Sequence, residues 1–196
     1  KMGQDNSSGK ISKTSLTRRT VLSGAAAMGL STMARAQAPS EVKVGLIVPL
    51  SGIYTRPGQV MKMGAEMGIE RINAQGGIKS LGGAKMKLVV FNGRATTEKA
   101  KNAAQRMVAQ ETDLVAATGS YLSSFTLAVT EVTERAQLPV LTLSYSDLLT
   151  DRGFKFIFQT AAPASVQSQL GVPELMKLAE KAAGKRPKTV AMLMDN

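Results

Sequence analysis

The sequence predicts an α/β fold, a parallel sheet sandwiched by helices, and two observations carry that prediction. Short β-rich apolar runs alternate with longer segments whose apolar residues recur every three or four positions, and such alternation argues for a parallel sheet covered on both faces. The composition is globular: 196 residues, 43% hydrophobic and 20% charged, enough for one full core or for one domain plus part of another. Aromatic residues make up only 4%, so the core must rely on Leu, Val, Ile, Met and Ala.

The elements follow in order. Val42–Val48 is β-rich and stops at Pro49, with a turn at Ser51-Gly52. Pro57 is placed to open a helix in which Val60, Gly64, Met67, Gly68, Arg71 and Ile72 recur at helical spacing. Gly64 and Gly68 lie one turn apart, and close packing of that face against the sheet is the expected reason for them. Asn73–Gly77 ends this helix, and Met86–Phe91 is a second strand. Glu98–Ala109 reads as a helix with Ala100, Ala103, Ala104, Met107 and Val108 inward. Asp113–Ala117 is a short buried strand, and Ser123–Ala136 a helix with Leu127, Val129 and Val132 inward. Pro139–Leu143 and Lys155–Phe158 are further strands. A helix over Ser165–Ala183 is expected to break near Gly171 and Pro173, before a last strand over Thr189–Met194.

The first 36 residues read as an address rather than as fold. A basic, polar start leads to Arg18-Arg19, a weakly apolar run from Val21 to Met33 follows, and Ala34-Arg35-Ala36 forms an A-x-A site. The paired arginines resemble a twin-arginine export signal, which implies export to the periplasm with cleavage after Ala36 and a soluble mature chain. This segment also holds much of the net charge of +11. Without it, 19 of the 25 basic and 13 of the 14 acidic residues remain, scattered and without interleaved aromatics, so no nucleic-acid surface is expected.

Zero Cys and zero His exclude a thiol nucleophile, a Ser-His relay, a zinc finger and a disulfide framework. No run of carboxylates suggests a metal, and no glycine-rich phosphate loop or G-x-S-x-G elbow is present, so neither cofactor nor enzymatic activity is expected. What stands out are two hydroxyl-rich, charge-poor patches, "GSYLSSFT" at 119–126 and "TLSYSD" at 142–147, each just past an apolar strand. In parallel sheets ligands sit outside the carboxyl ends of strands, so both patches can face one crevice. Ser123 has two readings: an N-cap of its helix, or a hydroxyl that joins the free N–H groups of the helix terminus in holding a carboxylate. Ser144 and Ser146 offer hydroxyl and carbonyl acceptors for an ammonium or another donor, or form an ordinary turn. Tyr121, Leu122 and Tyr145 are either walls for an apolar ligand portion or structural. Asp147 and Asp151 read as solvated loop residues.

Four stretches, "VKVGLIVPLSG", "GAEMGIERINAQGGI", "LPVLT" and "RGFKFIFQT", in that order, resemble the type I periplasmic solute-binding proteins of branched-chain-amino-acid ABC transporters from about Val42 onward. The resemblance implies two α/β lobes that close on a small-molecule ligand and deliver it to an inner-membrane ABC permease, as a monomer. It implies that Ser123 holds the ligand carboxylate, that Ser144 and Ser146 hold its ammonium, and that Tyr121 and Leu122 contact its side chain. Tyr54 stands near Pro57, where many relatives carry a tyrosine; Gln159-Thr160 replaces their Arg-Thr, Ser165 stands where an Asp often follows, and Asn92 replaces a common acidic residue. These departures leave the ligand open, including whether it bears an ammonium. Relatives are roughly twice as long, so residues 37–161 are expected to form most of the first lobe and 162–196 the start of a truncated second. A ligand sensor of the same fold, feeding a regulator or chemoreceptor, is the alternative function.

Overall fold

The computed structural model describes residues 39–191. The expected export leader, with Arg18-Arg19 and the site after Ala36, lies outside the described residues. The remainder is an α/β unit built on five parallel strands: β1 (Glu41–Val48), β2 (Lys85–Asn92), β3 (Leu114–Gly119), β4 (Val140–Thr142) and β5 (Ile157–Gln159). Their spatial order is β2-β1-β3-β4-β5. The chain therefore steps from β1 to one side and then returns to its other side. The loops after β1 and β3 leave the sheet at this reversal, where such sheets open a crevice.

Helices α1 (Thr55–Ala74), α2 (Thr97–Gln110) and α3 (Ser123–Arg135) connect the strands, with a short α4 (Leu148–Asp151) before β5 and α5 (Ala164–Ala183) after it. Helix α2 buries Ala100, Ala103, Ala104 and Met107 completely, as their spacing predicts, and its Thr96 caps the Lys99 N–H. The alanines let α2 lie close to α3, whose Phe125, Val129 and Val132 join Ile47, Ala117 and Val140 in one core. Each fully buried Val or Met side chain adds about 1.5–3 kcal/mol through removal from water. Glu134, at the end of α3, accepts the N–H groups of Lys155 and Phe156 at 2.8 and 2.9 Å and so fixes where β5 begins.

Three expectations need correction. Gly64 and Gly68 do not pack against the sheet. A methyl group at either would meet nothing within 4 Å, and Val60, Met63 and Met67 on the same side of α1 are also exposed. Met61, Ala65 and Ile69, at four-residue spacing, are the more buried row. Helix α5 does not break at Gly171 or Pro173 but runs on to Ala183. None of its residues is buried, so water can reach the carbonyl that a helical proline leaves without a partner. Thr189–Ala191 form no strand, since no neighbouring strand pairs with them among the described residues. Among the described residues, Leu141, Leu143 and Phe158 alternate with the buried Val140, Thr142 and Ile157 and point to the opposite face, where they are exposed.

The turn from β3 to α3 depends on Gly119. Its φ is +105°, and a Cβ there would stand 2.1 Å from the Ile47 carbonyl oxygen. The same oxygen accepts the Ser120 N–H at 2.7 Å, so the backbone has no room to retreat. Gly119→Ala is expected to destabilise the full-length protein by at least about 2 kcal/mol, since strain and a backbone clash combine. Urea unfolding with an unchanged midpoint would refute this.

Candidate functional site

Both hydroxyl patches lie at the carboxyl ends of neighbouring strands, β3 and β4, and the structure joins them through a buried hydrogen-bond cluster. Ser120 is its centre. Its φ is +48°, it is buried, and its carbonyl points inward. Ser144 Oγ lies 2.9 Å from the Ser120 carbonyl and 2.9 Å from the Tyr121 carbonyl. Thr126 Oγ1 donates to the Ser120 carbonyl as well, and Thr142 Oγ1 lies 3.0 Å from Ser144 Oγ. A buried carbonyl without a donor is costly, and three neutral hydroxyls meet that need here.

Ser144 belongs to this cluster through its hydroxyl. Its side chain is 0% exposed, and its hydroxyl is spent on the chain's own carbonyls rather than presented to a ligand. Sequence reasoning held Ser120, Thr126 and Thr142 within the two patches but gave none of them a role. A signal existed for one of them: Thr126, Thr130 and Thr133 recur at helical spacing, and all three are buried on α3. Nothing local announced the positive φ of Ser120.

Ser123 is not the N-cap. Leu122 takes that position, with φ −75° and ψ 122°, and no side chain caps the helix. Ser123 is the first residue of α3, half-buried, and its Oγ accepts the Ser146 N–H at 3.3 Å. The N–H groups of Ser123, Ser124 and Phe125 have no acceptor among the described residues. An uncapped helix start carries about half a positive charge and free donors, so it can hold an anion without a lysine or arginine.

The aromatic residues divide. Tyr54, on the loop after β1, sets its ring edge-on to Phe125 of α3, with centroids 6.0 Å apart at 84°. It thus stands beside the β3–α3 turn. The Tyr121 hydroxyl is buried with no partner among the described residues, and burial, followed by the neighbouring Tyr54, raises its pKa above the ordinary value. Tyr145 is half-exposed, while its carbonyl accepts the Ala164 N–H at 2.7 Å. Asn92 braces the rim, since its Oδ1 accepts the N–H groups of Leu50 and Arg94 at 2.9 and 2.8 Å.

Two further residues, Gln159 and Asp147, make contacts that their sequence reading did not assign. Gln159 Nε2 donates to the carbonyls of Ser144 and Ser146 at 2.8 and 3.2 Å, and its Oε1 is buried without a partner among the described residues. Asp147 is not a free solvated residue. It accepts the Ser165 N–H at 3.3 Å and the Ser165 hydroxyl, and so tethers the start of α5 to the β4 loop. The Ser165 hydroxyl, before other causes, holds the Asp147 carboxyl below its ordinary pKa.

Two outcomes follow from these contacts. Ser144→Ala removes the hydroxyl that lies between the Ser120 and Tyr121 carbonyls and is expected to cost about 1–3 kcal/mol in guanidinium unfolding, whereas Ser123→Ala, which loses one longer, half-buried contact, should cost less. For Asp147, the lowered pKa means that its tether stabilises the fold above the ordinary aspartate pKa and is lost as pH falls through the lowered value. Melting temperatures followed down to about pH 3 should drop more steeply for the wild type than for Asp147→Asn. Parallel curves would remove Asp147 from the tether.

A family profile described as periplasmic binding protein matches residues 41–196. Leu/Ile/Val-binding protein homolog 8 of Brucella suis biovar 1 is 28% identical over 171 residues, which cover 87% of this chain and 41% of that protein. Leu/Ile/Val-binding protein homolog 7 of Brucella melitensis is 31% identical over 144 residues, 72% of this chain and 35% of that protein. The chain thus spans about two-fifths of the length of these curated relatives. Among solved structures, the branched-chain amino acid transporter substrate binding protein LivJ from Streptococcus pneumoniae, in complex with isoleucine, superposes with a TM-score of 0.57 at 26% identity, over 63% of this chain and 34% of that one. A substrate-binding protein from Desulfitobacterium hafniense, at 24% identity and a TM-score of 0.61 over 70% of this chain and 39% of its own, shares the fold. The five parallel strands, their flanking helices and the match across 41–196 lead to one conclusion: the chain belongs to the periplasmic binding protein family, of type I, with Leu/Ile/Val-binding proteins among its relatives.

Proposed function

We propose that the chain carries the first ligand-binding lobe of an exported substrate-binding protein of an ABC transporter. In this reading residues 37–161 form that lobe, and residues 162–196 begin a second. The two lobes close on a small carboxylate-bearing solute and present it to a membrane permease. Residues 1–36 direct export to the periplasm. Closure is a shift of population from open to closed lobes, driven by a ligand that touches both. No bond is made or broken, in keeping with a chain that has neither His nor Cys.

The observation that carries this reading is the uncapped start of α3 at the reversal of strand order, with Ser123 beside it. Peptide N–H groups and one hydroxyl there match a carboxylate. Tyr54 and Tyr121, on the loops after β1 and β3, supply apolar walls, and Leu122 and Tyr145 add to them. Ser146 offers its hydroxyl. The isoleucine complex of the LivJ protein supports a solute of amino-acid size.

A thermal-shift screen of the full-length protein against amino acids, aromatic acids and short amides is expected to pick out carboxylates and to pass over their amides. In calorimetry with the best of them, Ser123→Ala should weaken binding by about 1–3 kcal/mol, the loss of a hydrogen bond to a charged group. Equal stabilisation by an acid and its amide would sink the carboxylate reading.

A further inference from the structure

We infer that Asp147 is a positioning residue: it seats the first helix of the second lobe on the loop that carries Ser146, and so narrows the range of lobe orientations before a solute arrives. The inference rests on the two-lobe reading proposed above and adds the contact that couples the lobes.

A helix start leaves N–H groups without partners, and α5 does not satisfy its own. Pro163 holds the N-cap position and makes no side-chain cap. The loop after β4 supplies the acceptors instead. Tyr145 O accepts the Ala164 N–H at 2.7 Å, and the Asp147 carboxylate accepts the Ser165 N–H at 3.3 Å together with the Ser165 hydroxyl. A carboxylate placed there also meets the positive end of the helix dipole. The cap of α5 thus comes from a residue 18 positions earlier, across the proposed boundary between the lobes.

The chain itself gives little hold at that boundary. Thr160 is tied to β4, since its N–H and its hydroxyl both donate to the Thr142 carbonyl at 2.9 Å. Ala161, Ala162 and Pro163 alone then separate it from α5. Proline fixes its own φ, but the two alanines have ordinary backbone freedom, and a few such residues can absorb a hinge rotation. The direction of α5 is therefore set by what its first turn touches.

What it touches is the second hydroxyl patch. Ser146 lies between the two residues that grip α5, and its N–H bonds to Ser123 Oγ at 3.3 Å. Gln159 Nε2 braces the same loop through the carbonyls of Ser144 and Ser146. The seat of α5 is thus fixed firmly to the first lobe and adjoins the residues proposed to meet the solute. A seated helix holds the lobes within a narrow range. A freed one spreads them over many orientations, of which a fraction can close on a solute, and apparent affinity falls by that fraction.

Spin labels at the exposed positions Lys99 on α2 and Lys181 on α5 of the full-length protein read the distance between the lobes. Without solute, Asp147→Ala is expected to give a broader distance distribution than the wild type. Asp147→Asn, which keeps one acceptor oxygen, should restore most of the narrowness. Ser165→Ala should broaden it less, because its N–H remains, and should add nothing to Asp147→Ala, since both act through one contact. L-leucine and 4-hydroxybenzoate serve as probes, and whichever binds the wild type should bind Asp147→Ala about three- to tenfold more weakly. Distances are read well below each melting temperature, so a loss of stability alone does not move them. Equal widths in the wild type and Asp147→Ala, with a wild-type distance that shifts on adding either probe, overturn the inference and leave the two lobes standing. A distance that neither shifts with a probe nor broadens in any variant overturns the two-lobe reading and this inference with it. Ser165→Ala decides the matter where Asp147→Ala does not fold.

Discussion

The inward-facing carbonyl of Ser120 is the constraint on which the crevice depends. The chain must leave β3 and turn at once into α3, and Gly119 and Ser120 achieve this with positive φ, at +105° and +48°. That turn drives a peptide oxygen into a place where water cannot follow. The protein satisfies it with hydroxyls from three separate places: Thr126 on α3, Thr142 at the end of β4 and Ser144 just beyond. One backbone demand therefore locks the loop after β3 to the loop after β4. The relative position of the two hydroxyl patches is set by this cluster rather than by any ligand.

The cluster also decides which groups remain for binding. Every hydroxyl spent on Ser120 is unavailable at the surface, so the most buried serine of the second patch belongs to the scaffold. What stays open is the amide-rich start of α3, left uncapped because Leu122 holds the N-cap position and Ser123 turns its oxygen to the Ser146 N–H. Ser123 in this way serves both purposes that its sequence position allowed: it ties the two loops together, and it stands beside free N–H groups. A site so built is neutral in side chains and positive only through the helix. Its donors are fixed by the backbone and need no reorganisation when a ligand arrives.

Much of this was legible in the sequence, and the reasons differ by level. Four of the five strands and the packing face of α2 follow from local periodicity, because a buried strand or a row of alanines must repeat with the element's own period. The β5 strand is legible too, although Glu134, 21 residues before Lys155, sets its start, which no local pattern reveals. The first helix misled because its glycines share a face, and shared faces say nothing about which face turns inward; the more buried row is Met61, Ala65 and Ile69. The patches were found as hydroxyl-rich stretches. Their internal division, with Ser144 inward and Ser146 outward, depends on contacts across 23 or 24 positions of chain. Asp147 looked like a free loop carboxylate for the same reason, since its partner Ser165 lies 18 residues on.

Gln159 shows how far a single side chain can extend that logic. It sits at the end of β5, one strand beyond the second patch, and the parallel register places Gln159 opposite Thr142. From there its amide reaches the two carbonyls that flank Tyr145, while Ala164 takes the carbonyl of Tyr145 itself. The β4 loop is thereby tied to β5 and α5, just as the β3 loop is tied to β4. Each strand end braces the one before it, and the start of α3, at the head of the series, keeps N–H groups without an acceptor among the described residues.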